Sequence, residues 1–189
     1  MSFAAYIVIP IFIAVQAFTM MVISPYVPLN GTTAGGLGLL TWVSFQAWAM
    51  YFLAGCTPKM GAKTLIGYGG GIAASVAIFE LGKVFAAMNA DPNAWGLYLA
   101  VFLVVIVVIC MEKVPWFDFI PSYFVGAGAF FGLMTYLEQP EGADMDKYAW
   151  YGTVALAELV ACAVGLVYGA ITVLFRGWYE GKFGEAVEE

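Results

Sequence analysis

Six apolar runs, each about as long as a bilayer is thick, divide this 189-residue chain, and its polar residues collect in the short stretches between them. A helix needs about 20 predominantly apolar residues to cross the hydrocarbon core of a membrane. In lipid the backbone must satisfy its own hydrogen bonds, so runs of this kind fold as helices. The chain is 63% hydrophobic and only 11% charged, against about 25% charged in a soluble domain. The expectation is an all-α polytopic membrane protein with six transmembrane helices. A single six-helix domain over residues 1–175 and a short cytoplasmic, interfacial tail over 176–189 use up the whole length.

The runs lie at 3–23, 38–55, 65–88, 95–111, 119–137 and 149–175. The first lacks a basic leader and a small-residue cleavage site, so it reads as a retained helix. Residues 24–38, with Pro25, Pro28 and several glycines, read as a loop. A basic connection with Pro58, Lys59 and Lys63 precedes the third run, Asp91 and Pro92 close it, and an acidic loop spans 138–147. Placing the N-terminus inside puts Lys59, Lys63, Lys113, Arg176 and Lys182 on the cytoplasmic side and Lys147 outside, in line with the positive-inside rule. Both termini are then cytoplasmic, and the two three-helix halves run in opposite senses, as a 3+3 inverted repeat requires. Sequence support for a repeat is confined to a few positions shared by 44–52 and 122–130.

Several functions drop out. There is no histidine, which removes imidazole acid–base chemistry, His-ligated metals and histidine-based pH gating. Cys56, Cys110 and Cys162 are too scattered for a disulfide framework or a zinc site. A net charge of −6 offers nucleic acid no basic patch. No metal, cofactor or catalytic constellation is expected, and the chain does not read as an enzyme. A carboxylate pair, Glu80 with Glu158, is the one catalytic arrangement conceivable here, and it comes without a substrate. Asn30-Gly31-Thr32 matches a glycosylation sequon in an outer loop.

Small residues recur at four-residue spacing: Gly67, Gly71 and Ser75; Gly128 and Gly132; Gly165 and Gly169. In lipid such stripes let helix backbones approach closely, and close assembly into a homo-oligomer fits them. Phe45, Trp48 and Phe52 share one helix face and can wall a narrow path, pack on a neighbour or meet lipid.

Charges inside a membrane are costly and usually face the interior of the bundle. Counted from the helix ends above, Glu80, Lys83, Glu158, Gln46 and Gln16 all fall roughly 8–14 Å below the outer surface at about 1.5 Å per residue. Two readings of this layer stand side by side. In one, Glu80 and Lys83 form an i, i+3 pair, Lys83 snorkels outward and Glu158 bonds a neighbouring helix. In the other, Lys83 sits between the two carboxylates at the floor of a vestibule, where the two glutamines bind solute.

The stretches TWVSFQAWAMYFLAG (41–55) and FIPSYFVGAGAFF (119–131), with the glycine-rich helix between them, resemble the bacterial inner-membrane proteins grouped as the DUF1097 family. That resemblance covers most of helices two to six and implies a small polytopic inner-membrane protein. It brings no activity and no functional residues. Acid-activated urea channels and acetate channels share the length and helix number and form rings of protomers, a likeness of architecture alone.

The leading functional expectation is a channel or facilitator in the bilayer for a small neutral or weakly charged solute, of the urea, amide or small-acid class. The five polar residues would select, and Phe45, Trp48 and Phe52 would form the walls. A proton-coupled transporter using Glu158 or Glu80 is the first alternative. A non-transporting scaffold or accessory subunit is the second.

Overall fold

The computed structural model describes residues 3–27, 38–89, 95–139 and 145–183, and these contain helices and no strand. In chain order the helices are α1 (Phe3–Tyr6), α2 (Val8–Ile23), α3 (Thr41–Leu53), α4 (Pro58–Asn89), α5 (Trp95–Cys110), α6 (Ile120–Tyr136) and α7 (Lys147–Phe183). Single 3-10 turns follow α2 at Ser24–Tyr26 and α5 at Met111–Lys113. The stretch around Asn30, the Asp91–Pro92 stop, the middle of the acidic loop and the last residues of the tail lie outside the described residues.

Local chemistry sets most of the boundaries. After α3 the Gly55 N–H bonds the Phe52 carbonyl at 3.1 Å and the Cys56 N–H bonds that of Tyr51 at 3.1 Å, the paired pattern that closes a helix through a left-handed residue. Gly55 takes that conformation at φ 94° and Cys56 follows at φ 60°. Thr57 then caps α4, its Oγ1 accepting the Met60 N–H at 3.3 Å, and Pro58 occupies the first helical position, where a missing N–H costs nothing. Helix α4 therefore starts seven residues before the expected 65, and the basic connection is its first turns. Asp146 caps α7 by accepting the N–H groups of Tyr148 at 2.8 Å and Ala149 at 3.0 Å. Helix α7 runs on to Phe183, so there is no break at 175/176. Arg176 and Trp178, expected in the tail, are helical.

Among the described residues four segments are long and apolar enough to cross a membrane: Val8–Tyr26, Pro58–Met88, Trp95–Lys113 and Lys147–Phe183. Helix α3, with 13 residues, is about 20 Å long at 1.5 Å per residue, short of a core about 30 Å thick. Such apolar helices suit an integral membrane protein. Helices α2 and α5 lie at the periphery and expose Ile11, Val15, Phe18, Phe102 and Val107, the apolar surface that lipid would cover.

The long helices α4 and α7 form the centre, with α6 and α5 packed on α4 and α3 packed on α7. Glycine permits both main contacts. A Cβ at Gly71 would strike the backbone of Tyr123 and Ala127, and one at Gly126 would lie 2.7 Å from Tyr68 Cα. A Cβ at Gly165 would strike the Ser44 carbonyl, and one at Gly169 would lie 2.9 Å from Tyr51 Cβ. The glycine run at 67–71 is thus mid-helix packing surface in α4. The pair Gly128 and Gly132 faces open space, and Gly126 takes the contact expected of it.

At one end of the molecule Lys63 on α4 meets Asp118 before α6, with Nζ 2.6 Å from Oδ1 and 2.7 Å from Oδ2. That hydrogen bond holds the Asp118 carboxyl below the ordinary carboxylate value.

Gly71→Ala is expected to lower stability by about 1–3 kcal/mol through overpacking, whereas Gly128→Ala raises it by about 0.5–1 kcal/mol through helix propensity. Thermal unfolding in detergent, followed by circular dichroism, measures both. Because the Asp118 value is depressed on folding, the tie stabilises above about pH 4 and is lost as the pH falls through the folded value. Asp118→Asn should therefore lower the melting temperature at pH 7 and leave it unchanged once the wild-type carboxyl is protonated.

Candidate functional site

Glu158 lies about a third of the way along α7 with no exposed surface. Its helix face also buries Val154, Ala157, Ala161 and Cys162, so the wall around the carboxyl is apolar. Among the described residues neither carboxyl oxygen has a hydrogen-bond partner. Tyr68 on α4, the neighbour of α7, is also fully buried, and its hydroxyl has no partner among the described residues either. An unpartnered buried polar group costs about 1–3 kcal/mol, more when charged, and a carboxylate in a lipid-depth core costs about 3 kcal/mol or more. The group is therefore best carried as the neutral acid, or it meets a cation that enters from outside.

Glu80 has the opposite surroundings. Its Oε2 accepts from Lys147 Nζ at 2.6 Å and Tyr148 OH at 3.4 Å, and its Oε1 accepts from Tyr151 OH at 3.3 Å and Lys83 Nζ at 3.4 Å. The i, i+3 pair with Lys83 forms as expected. The shorter bond goes to Lys147, which is the first residue of α7 and not part of a loop. The Lys83 side chain is 57% exposed and does not stand between the two carboxylates. Phe79, Tyr151 and Phe130 pack together beside this cluster, with ring centroids 6.2 Å apart from Tyr151 in both pairs.

Gln16 belongs to a third site. Its Nε2 donates to the Tyr168 carbonyl at 3.3 Å and its Oε1 accepts from Thr172 Oγ1 at 2.8 Å. Gln46 is exposed on α3. Trp48 is buried, with its indole N–H unpartnered, and stacks on the half-exposed Phe45 at 6.0 Å. Phe52 lies further along and lines a cavity with Thr172 and Arg176.

Helix α7 serves as a ruler for these groups. Glu80 is level with 147–151, Glu158 sits about 16 Å further along from Lys147, and Gln16 is about 15–20 Å beyond Glu158, at 1.5 Å per residue. Four of the five polar residues fall in three separate sites along the molecule, and Gln46 lies exposed outside them; they do not form one layer. Equal distances from helix ends imply equal depth only if the helices end together, and α4 and α7 overrun their neighbours at both ends. Sequence reasoning missed Tyr68, Lys147, Tyr148 and Tyr151. Asp146 as an N-cap signal would have put Lys147 in the helix; nothing local marks Tyr68.

Residues 6–177 match the family described as protein of unknown function (DUF1097). The chain belongs to this family. No curated protein and no solved structure matches it. The DUF1097 description carries no activity, so the chemistry of the buried centre has to be argued from its own residues.

Removing a partnerless group and removing a four-partner group should have opposite signs. Glu158→Met is expected to raise stability by on the order of 1–3 kcal/mol, the penalty of an unsatisfied polar group. Glu80→Met is expected to lower the melting temperature, and by more than Lys83→Met does. Unfolding in the same detergent, at one pH, provides the comparison.

Proposed function

We propose that the protein is a membrane transporter of a small neutral or weakly charged solute, coupled to proton uptake and release at Glu158. The observation that carries this reading is the fully buried Glu158 carboxyl, unpartnered on both oxygens. A scaffold has no use for such a destabilising group in its core, since natural sequences readily replace one with an apolar residue of similar volume. A passive channel for a neutral solute needs no titratable group at its centre. A carrier that binds a proton on one side and releases it on the other needs a carboxyl whose environment changes between states.

The architecture that goes with this proposal is six crossings, both termini cytoplasmic, in the inner membrane of a bacterium. Lys59, Lys63, Lys113, Arg176 and Lys182 fall at the end of the bundle where α4 begins and α7 finishes, while Lys83 and Lys147 meet at the other, which supports that orientation. A 3+3 inverted repeat is supported by crosswise packing. Ser122 at the start of α6 meets Gly67 of α4, and Ser44 near the start of α3 meets Gly165 of α7. Gly71 and Gly169, four residues on in each long helix, then repeat the contact with Tyr123 and Tyr51. Homo-oligomerisation would cover the apolar outer faces of α2 and α5.

Proteoliposomes loaded with a pH-sensitive dye test the coupling, with urea, acetamide, acetate and the zwitterion leucine as probes and empty liposomes as the reference. The expected result is proton influx with at least one probe, reduced at least about tenfold, or 1.4 kcal/mol in barrier, by Glu158→Gln. Solute flux that survives Glu158→Gln and ignores an imposed pH gradient would establish the passive channel instead. No difference from empty liposomes with any probe would sink transport of this solute class.

A further inference from the structure

At the Arg176 end, α2, α3 and α7 enclose a cavity of about 480 Å³, within the range of about 300–1,000 Å³ in which small ligands bind. Ile13, Phe52 and Val173 supply apolar wall, and the α7 side carries two opposite charges one turn apart, Arg176 and Glu180. Arg176 Nε donates to Glu180 Oε1 at 2.7 Å. The guanidinium has five N–H donors and the carboxylate a second oxygen, so each retains hydrogen-bonding capacity beyond the pair itself. Gly177 adds no bulk between them, and a Cβ there would meet nothing within 4 Å. Thr172 of the wall donates to Gln16 Oε1 at 2.8 Å.

We infer that this cavity binds a small zwitterion with an apolar side chain, of the α-amino acid class, which rests on the transport reading for its role as solute. The two wall charges cancel, so an anion alone is attracted by Arg176 and repelled by Glu180, and a cation alone the reverse. A ligand with a carboxylate and an ammonium on neighbouring atoms meets both with the right sign, and its apolar substituent lies against Phe52 and Ile13. A wholly polar neutral such as urea leaves that wall uncovered. The site deepens the proposed function by naming the solute class. Arg176 and Glu180 are its specificity-determining pair.

Cys56 lines the same cavity and supplies a reporter. In full-length Cys110→Ser protein in nanodiscs, with Cys162 buried, N-ethylmaleimide modifies Cys56, and leucine is the probe ligand. Leucine at ten times its dissociation constant is expected to slow alkylation about tenfold, since only the empty cavity reacts. Isoamylamine, 4-methylpentanoate and urea at the same concentration are expected to leave the rate unchanged. Arg176→Gln and Glu180→Gln each remove the protection while the unprotected rate, a check on folding, stays at the parent value. Absence of leucine protection, or equal protection by a single-charge analogue, overturns the assignment. Glu158 lies about 27 Å away along α7 at 1.5 Å per residue, so Glu158→Gln keeps the protection. Leucine protection without proton-coupled flux refutes the transport reading alone, and coupled flux without protection refutes this site alone.

Discussion

A side chain at Gly71 would run into the backbone of α6, and one at Gly165 into the backbone of α3. These two close approaches carry the rest of the molecule. In lipid no hydrophobic force drives one helix towards another, and association depends on how closely backbones can pack. The long helices α4 and α7 each receive a short helix through a glycine face, and the peripheral α2 and α5 attach outside that frame. Ser75 adds a hydrogen bond to the Ala127 carbonyl at 3.3 Å and Ser44 one to the Ala161 carbonyl at 2.8 Å, which small residues make geometrically accessible.

Within this frame the polar groups sort by how well they are satisfied. The Glu80 cluster is saturated, with two lysines and two tyrosine hydroxyls around one carboxylate, and it fastens the end of α4 to the start of α7. The Lys63–Asp118 pair does the same at the opposite end, between α4 and the segment that enters α6. Gln16 is likewise satisfied by α7. Glu158 and Tyr68 stand between the two ionic ties with no hydrogen-bond partner among the described residues. A native interior rarely tolerates that without a use for it, which is why the functional proposal rests on this pair and not on the better-connected charges.

Much of this was legible beforehand. All six apolar runs became helices, the chain is all-α among the described residues, and Glu158 emerged as a buried acid because charge is so scarce in the sequence. The Gly67–Gly71 and Gly165–Gly169 stripes also proved to be contact surfaces. The layer at one depth did not survive. It assumed that all helices end in one common outer plane, whereas α4 runs on to Asn89, well past the level at which Glu80 meets the first residue of α7. Gly128 and Gly132 show a second limit: identical spacing on a helix does not say which face meets a neighbour.

The sequence by itself determined the helices and their apolar character, since hydropathy, capping and the absence of histidine act through neighbours along the chain. Only the tertiary structure decided which charges would be paired. Lys147 lies 67 residues from Glu80, and Tyr68 is 90 positions from Glu158. Whether a carboxylate acquires a partner depends on where two helices cross and how far each overruns the other. The crossing is set by glycine contacts between segments distant in sequence, and no local pattern records it.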